Sequence, residues 1–421
     1  METIFKKIEY LLKNKKALLV LLFFLLSFQL LYSFLCPTHG PRSKAWLSLP
    51  DLISHEKSPI DASEGSLITK VYGILGNYYV NADGGQYLLL ANNFPNHYLE
   101  SNPVILDRPL YSFLIAAVAF LPRIFLDSYA TLFASAIFLN FILGFFSVIL
   151  FYYLCEKIIS SRVAILSSLL LIFSPSFHIW MVQIMPEVFT VFMIATTLFL
   201  LYNYAKNPSR HKLIIFSLIV GTFMLGKMLF ALSIFILICA FYFRRYKEGI
   251  MFLIIHLVPL AFWYLFVTKV LMIPFFVNEV ADYNVGIWLF NIFQWPWYKT
   301  AEAFLVALPQ FISMVIYGFL LLPIIFSVIG FKKITFKKGK FFIISFIISF
   351  FILIFVMNYY FPRYGFWLYP VIYPLAVLGI ERVAEFFKKY KNWHAQAFYI
   401  AAYLSIIALS SSDFYRFIYY G

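Results

Sequence analysis

The chain has 421 residues, of which 63% are hydrophobic and only 12% charged, with a formal net charge of +14. A soluble globule is closer to half apolar and a quarter charged, so a soluble enzyme or binding module is excluded. The positive charge is compatible with a nucleic-acid partner by its size alone, but its placement along the chain, described next, makes it a signal of membrane topology.

Apolar runs able to cross a hydrocarbon core of about 30 Å recur from end to end. They fall at 17–35, 129–154, 163–181, 185–204, 212–226, 228–243, 249–270, 304–330, 341–357, 364–380 and 395–411. This predicts an all-α polytopic membrane protein of about eleven transmembrane helices. The first run follows a lysine-rich start and lacks a small-residue cleavage pattern, so it reads as an uncleaved anchor. With the N-terminus inside, 22 of the 33 lysines and arginines fall on the inner face, in clusters such as 206–212, 244–247 and 332–340. That asymmetry predicts a cytoplasmic N-terminus and no nucleic-acid partner, and the expected location is the plasma (inner) membrane. Residues 110–122 are apolar but short, and counting them as a crossing would invert every later cluster. They read as a helix on, or dipping into, the outer interface. The chain 1–421 is then one membrane domain with two long outer segments, 36–128 and 273–303. The second is aromatic (Trp288, Phe290, Phe293, Trp295, Trp297, Tyr298), which suits an interfacial belt or a cover over a lipid or sugar site. Cys36, Cys155 and Cys239 lie far apart in this topology and imply neither disulfide nor metal cluster.

Candidate chemistry gathers on the outer side. Asp83 sits in Asn81-Ala82-Asp83-Gly84-Gly85-Gln86-Tyr87. A carboxylate there can take a proton from an acceptor, and the glycines let backbone approach a bulky substrate. Asp-Gly is also an ordinary turn dipeptide. Arg108, in Asp107-Arg108-Pro109, is an accessory candidate or half of a local ion pair. His178 lies near the outer end of a span, close in sequence to Glu187. Glu187 follows Pro186 where the next span begins; it is a second acidic candidate or a helix-start glutamate favoured by the helix dipole. Lys227 in Gly226-Lys227-Met228 and Arg363 in Phe361-Pro362-Arg363-Tyr364 run against the charge bias at membrane depth. They could grip a phosphate leaving group or snorkel to headgroups. No histidine shows metal-ligand spacing, and no nucleotide fingerprint occurs.

In order, these segments resemble the GT-C fold glycosyltransferases that use polyprenyl-phosphate sugars, most of all the branch with protein O-mannosyltransferases and lipid A aminoarabinose transferases. Asp83-Gly84-Gly85-Gln86-Tyr87 with Ala91 is similar to the family's first acidic motif. Arg108-Pro109-Leu110-Tyr111 is similar to its Arg-Pro juxtamembrane helix. Pro186-Glu187 falls at its second acidic position, Gly226-Lys227 resembles a family lysine, and Arg363-Tyr364 with Tyr369-Pro370 and Pro374 resembles its late segment. The departures are Gly84 where some branches carry Glu, Glu187 where Asp is frequent, and no soluble C-terminal domain. They leave the acceptor and any divalent metal open.

The resemblance implies a GT-C-like bundle in which Asp83 deprotonates or orients the acceptor and Glu187 positions hydroxyls. Arg363 and Lys227 would hold the carrier phosphate, with Tyr87, Arg108 and His178 as accessory groups. The reaction implied is transfer of a hexose or pentose from a polyprenyl-phosphate carrier to a glycan, lipid or protein at the outer face, with inversion. A polysaccharide polymerase or ligase should instead show a late outer loop rich in Arg and His. A transporter should show mid-span charges and an internal repeat.

Overall fold

The structure is a computed structural model that describes residues 15–35, 46–48, 79–93, 109–126, 129–182, 184–227, 230–270, 272, 296–335, 337–357, 362–389 and 392–411. In chain order it runs α1 (Lys15–Leu35), β1 (Trp46–Ser48), β2 (Tyr79–Asn81), α2 (Ala82–Asn93), α3 (Pro109–Phe125), α4 (Tyr129–Ile158), α5 (Ser161–Ile172) and α6 (Pro175–Val182). It continues with α7 (Glu187–Lys206), α8 (Arg210–Met224), α9 (Phe230–Tyr242), α10 (Tyr246–Leu265), α11 (Trp297–Phe319), α12 (Leu321–Phe331) and α13 (Lys337–Met357). A short α14 (Pro362–Gly365) and a 3₁₀ turn lead into α15 (Tyr369–Lys388) and α16 (Asn392–Ser411).

Each predicted apolar run is helical, but the runs do not all make single crossings. Among the described residues five helices are long and apolar enough to span, or six if one bent pair counts as a span. The predicted span 304–330 is that pair: its two halves meet at 106°. Leu320 makes the corner with φ at 64°, a left-handed conformation unusual for a bulky residue. The predicted span 163–181 is also interrupted, because Ser174-Pro175 ends α5 and starts α6; a proline cannot continue the ladder but suits a first turn. At 15 and 13 residues, α8 and α9 fall short of the roughly 20 a crossing needs. The turn between them carries a buried lysine, Lys227, within the protein. The all-α expectation gains a small antiparallel pair, in which Trp46 faces Asn81 and Ser48 faces Tyr79. This pair delivers the chain directly into α2.

The core lies along α4, α7 and α15. Lipid offers no hydrophobic drive between helices, so close backbone approach does the packing. Gly330 on α12 and Gly379 on α15 each present their bare Cα to the other helix's backbone, where a Cβ would collide with the Leu375 or Phe326 carbonyl. Tyr369 donates a hydrogen bond to the Val191 carbonyl across α15 and α7 (3.0 Å). Local signals set several helix starts: Ser160 and Ser209 accept from the backbone N–H groups of Val163 and Lys212. The helix predicted near 110–122 forms as α3, and it buries Tyr111, Ile115 and Ala119, a stripe at i, i+4, i+8.

The basic junctions share one end of the bundle. Lys333 donates to Glu381 (3.2 Å) and Glu385 (3.0 Å), and Arg162 approaches Glu381 at 3.7 Å. Burial opposes the Lys333 charge, but its bonds to Glu385 and Glu381 outweigh that and hold its pKa above the ordinary lysine value. The α7 helix runs from Glu187 to Lys206, so about 30 Å separates this end from the Glu187 end.

Candidate functional site

At the Glu187 end, residues from five separate stretches meet. The Pro186 carbonyl accepts from both the N–H (2.7 Å) and the hydroxyl (2.8 Å) of Thr190, which fixes the first turn of α7. That turn holds the Glu187 side chain fully buried. Lys227, in the turn after α8, donates from Nζ to Glu187 Oε1 at 2.8 Å, with 8% of its side chain exposed. The same ammonium stands 5.2 Å from the Tyr364 ring centroid and 5.0 Å from that of Trp367. Two aromatic faces and one carboxylate thus surround the Lys227 ammonium in place of bulk water.

The walls of this cluster are as closely fitted as its centre. Gly226 lies against the Phe189 ring, so that any side chain at 226 would run into it. Phe189 stacks on Tyr111 (6.3 Å, 28°), and Tyr111 meets Tyr87 edge to face (5.3 Å, 85°). The Tyr111 hydroxyl donates to Asn140 Oδ1 at 2.9 Å, and Asn140 Nδ2 donates to the Trp180 carbonyl at 3.4 Å. The N–H of Leu110 donates to the Leu225 carbonyl (3.0 Å), which pins the start of α3 to the turn that carries Lys227. Tyr87, Tyr111, Glu187, Lys227 and Tyr364 are thus one contiguous body.

The predicted site residues divide into two groups. Glu187, Lys227 and Tyr87 are brought together. Glu187 and Lys227 are partners of each other, whereas sequence reasoning gave them separate roles, Glu187 positioning hydroxyls and Lys227 holding the carrier phosphate. Asp83 lies in the first turn of α2, four residues before Tyr87; the glycine-softened turn expected there is helical instead. Its side chain lies outside what the structure describes, as do those of Arg363, adjacent to Tyr364 on α14, and His178 on α6. Arg108 directly precedes α3 and lies outside the described residues, as does most of the aromatic segment 273–303. Among the described residues no three of His, Cys, Asp and Glu gather in a way that could hold a metal ion.

Trp367, Phe189 and Asn140 were missed by sequence reasoning. Asn140 could have been found, because a lone amide inside an apolar span is costly unless it has a partner. Nothing marks Phe189 or Trp367 among 52 phenylalanines and 8 tryptophans.

Two comparisons relate the chain to known proteins. The sequence model of the dolichyl-phosphate-mannose-protein mannosyltransferase family matches residues 107–272, from just before α3 to just past α10. A solved structure, the archaeal oligosaccharyltransferase AglB from Archaeoglobus fulgidus in complex with an inhibitory peptide and a dolichol-phosphate, superposes with a TM-score of 0.53 at 13% identity. The match covers 94% of this chain and 55% of that one. The chain has a GT-C fold. It spans about half the length of that relative, and no curated protein matches it in sequence. The GT-C resemblance carried by the motifs is therefore borne out on two independent counts, family model and fold. The family match takes in Glu187 and Lys227, while Asp83, Tyr87 and Arg363 lie outside its limits.

Proposed function

We propose that the protein is a membrane glycosyltransferase that moves a sugar from a polyprenyl-phosphate carrier to a glycan, lipid or protein acceptor at the outer face. The observation that carries this reading is the buried Glu187–Lys227 pair, closed by Tyr364 and Trp367 and contiguous with Tyr87, at the end of a GT-C bundle opposite the basic clusters. The family match adds a donor chemistry of the same kind.

In this reading the carrier tail lies in lipid and its phosphate approaches Arg363 and Lys227. Lys227 already gives one of its three donors to Glu187, so the other two are what a phosphate oxygen would meet. Asp83, one turn before Tyr87 on α2, takes the proton from the acceptor hydroxyl as that oxygen attacks the anomeric carbon. The carbon–phosphate oxygen bond breaks, the carrier phosphate leaves with the electron pair, and a single displacement inverts the sugar carbon. Cations at the leaving oxygen stabilise charge that appears only in the transition state.

Reconstitution in liposomes with a radiolabelled polyprenyl-phosphate sugar tests it, with released polyprenyl phosphate as the readout. Asp83→Asn keeps size but cannot accept a proton, and loss of a general base typically costs about 10²–10⁴-fold in rate. Transfer by Asp83→Asn at the wild-type rate would remove Asp83 from the mechanism and leave Glu187 as the acid–base candidate. The facing of the two ends is tested separately in a cysteine-free background. Asp61→Cys should react with an impermeant maleimide in intact cells and Thr335→Cys should not; the reverse pattern would put the site on the cytoplasmic side.

A further inference from the structure

The basic end of the bundle contains a cavity of about 770 Å³ that the transfer chemistry does not use. Its volume falls within the range of sites that bury an organic ligand, about 300–1,000 Å³. Its interior is apolar, walled by Leu198 of α7, Phe216 of α8, Phe235 of α9 and Leu375 of α15. Among the described residues its charged lining is Arg245, Glu248, Lys333 and Lys338. The geometry points to a site for an anionic diacyl phospholipid of the leaflet at this end, with an acyl chain in the cavity and the headgroup on the basic rim.

The charge at the rim argues for an anion rather than a zwitterion. Arg245 is engaged by Glu248 at 3.1 Å, and Lys333 by Glu381 and Glu385. Lys338 stands 5.9 Å over the Phe243 ring and has no carboxylate within ion-pair distance among the described residues. The segment 332–340 adds Lys332, Lys337 and Lys340 with no acid, and Arg244 and Lys247 flank Arg245. The acids facing the rim are therefore outnumbered, and clustered lysines beside a bilayer attract anionic headgroups. The cavity reaches as far as Phe151, whose ring packs on Tyr369 at 5.1 Å, so it runs from the rim into the bundle as a chain would need. Its charged rim lies beside the last turns of α7, at the opposite end of that helix from Glu187, so the headgroup placed here is distinct from the carrier phosphate proposed above. The inference does not depend on the transfer reaction.

Native mass spectrometry of the full chain in detergent tests it, with dioleoyl phosphatidylglycerol, dioleoyl phosphatidylcholine and a polyprenyl phosphate as probes. One phosphatidylglycerol should be retained in preference to phosphatidylcholine, and Lys338→Ala should weaken its retention about fivefold. Cys239→Phe puts a ring into the cavity wall and should weaken retention of the long-chain lipid. If that variant does not fold, comparing dihexanoyl with dioleoyl phosphatidylglycerol asks the same question, and the short chain should bind more weakly. Equal retention of the two headgroups, or no effect of Lys338→Ala, would overturn the site. So would indifference to chain length, which would mean headgroup contact without a seated chain. Displacement of phosphatidylglycerol by an equimolar polyprenyl phosphate would assign the cavity to the carrier instead.

Discussion

The molecule makes lysine–glutamate contacts of nearly the same length at its two ends, in opposite surroundings. Lys227 meets Glu187 at 2.8 Å with both side chains almost wholly buried, while Lys333 meets Glu385 at 3.0 Å with 64% of the glutamate exposed. At the buried end the charges have no water to fall back on, so each depends on the other and on the Tyr364 and Trp367 faces. At the exposed end water and salt compete with the pair, and its geometry contributes little. Burial, not distance, decides which pair the surrounding structure depends on and which only decorates a junction.

The largest expected effect follows from removing one buried partner. Lys227→Ala leaves the Glu187 carboxylate uncompensated, a change that typically costs about 3–5 kcal/mol. Thermal unfolding in detergent should show it as a marked drop in midpoint, with transfer abolished. The double variant Glu187→Gln/Lys227→Met replaces both charges with groups of similar size. It should recover most of the stability but not the transfer. If the double variant is as unstable as Lys227→Ala, the pair is a packing element and the charge argument fails. If it regains transfer, neither side chain touches the reaction.

How far the sequence foretold this depends on the kind of signal. Composition and the lysine–arginine census identified a polytopic helical protein, and the clusters assigned to one face do lie together, as Arg162, Lys333 and Glu381 show. Both signals sum over many residues, so no local accident erases them. The crossing count was less legible. A hydropathy window passes over the corner at Leu320 and the break at Ser174 because neither interrupts the apolar run. At the site, Glu187 and Lys227 could be singled out because charge in lipid is costly. That they pair could not, because 40 residues separate them and only the packing of α7 against α8 brings them together.

A second, smaller effect sharpens the same comparison through shape alone. Gly226 sits under the Phe189 ring with no room for a Cβ. Gly226→Ala must push the ring aside, and overpacking of this kind costs about 1–3 kcal/mol. Because Phe189 also stacks on Tyr111, the push should carry to the turn that holds Lys227. The expected result is a modest fall in thermal midpoint with a larger fall in kcat than in donor affinity. A loss of stability with kcat unchanged would separate the aromatic wall from the reacting groups.

The smallest effect is expected at the exposed end. Arg162 approaches Glu381 at 3.7 Å with 65% of its side chain exposed, and it also stands 4.7 Å over the Tyr399 ring. Surface pairs of this sort contribute about 0.2–1 kcal/mol, and the contribution shrinks as salt rises. Arg162→Ala should therefore lower the unfolding midpoint slightly at low ionic strength, converge with wild type in high salt, and leave sugar transfer intact. A loss comparable to that of Lys227→Ala would mean that the basic end is also a desolvated, tightly coupled network. The contrast drawn from burial would then not hold.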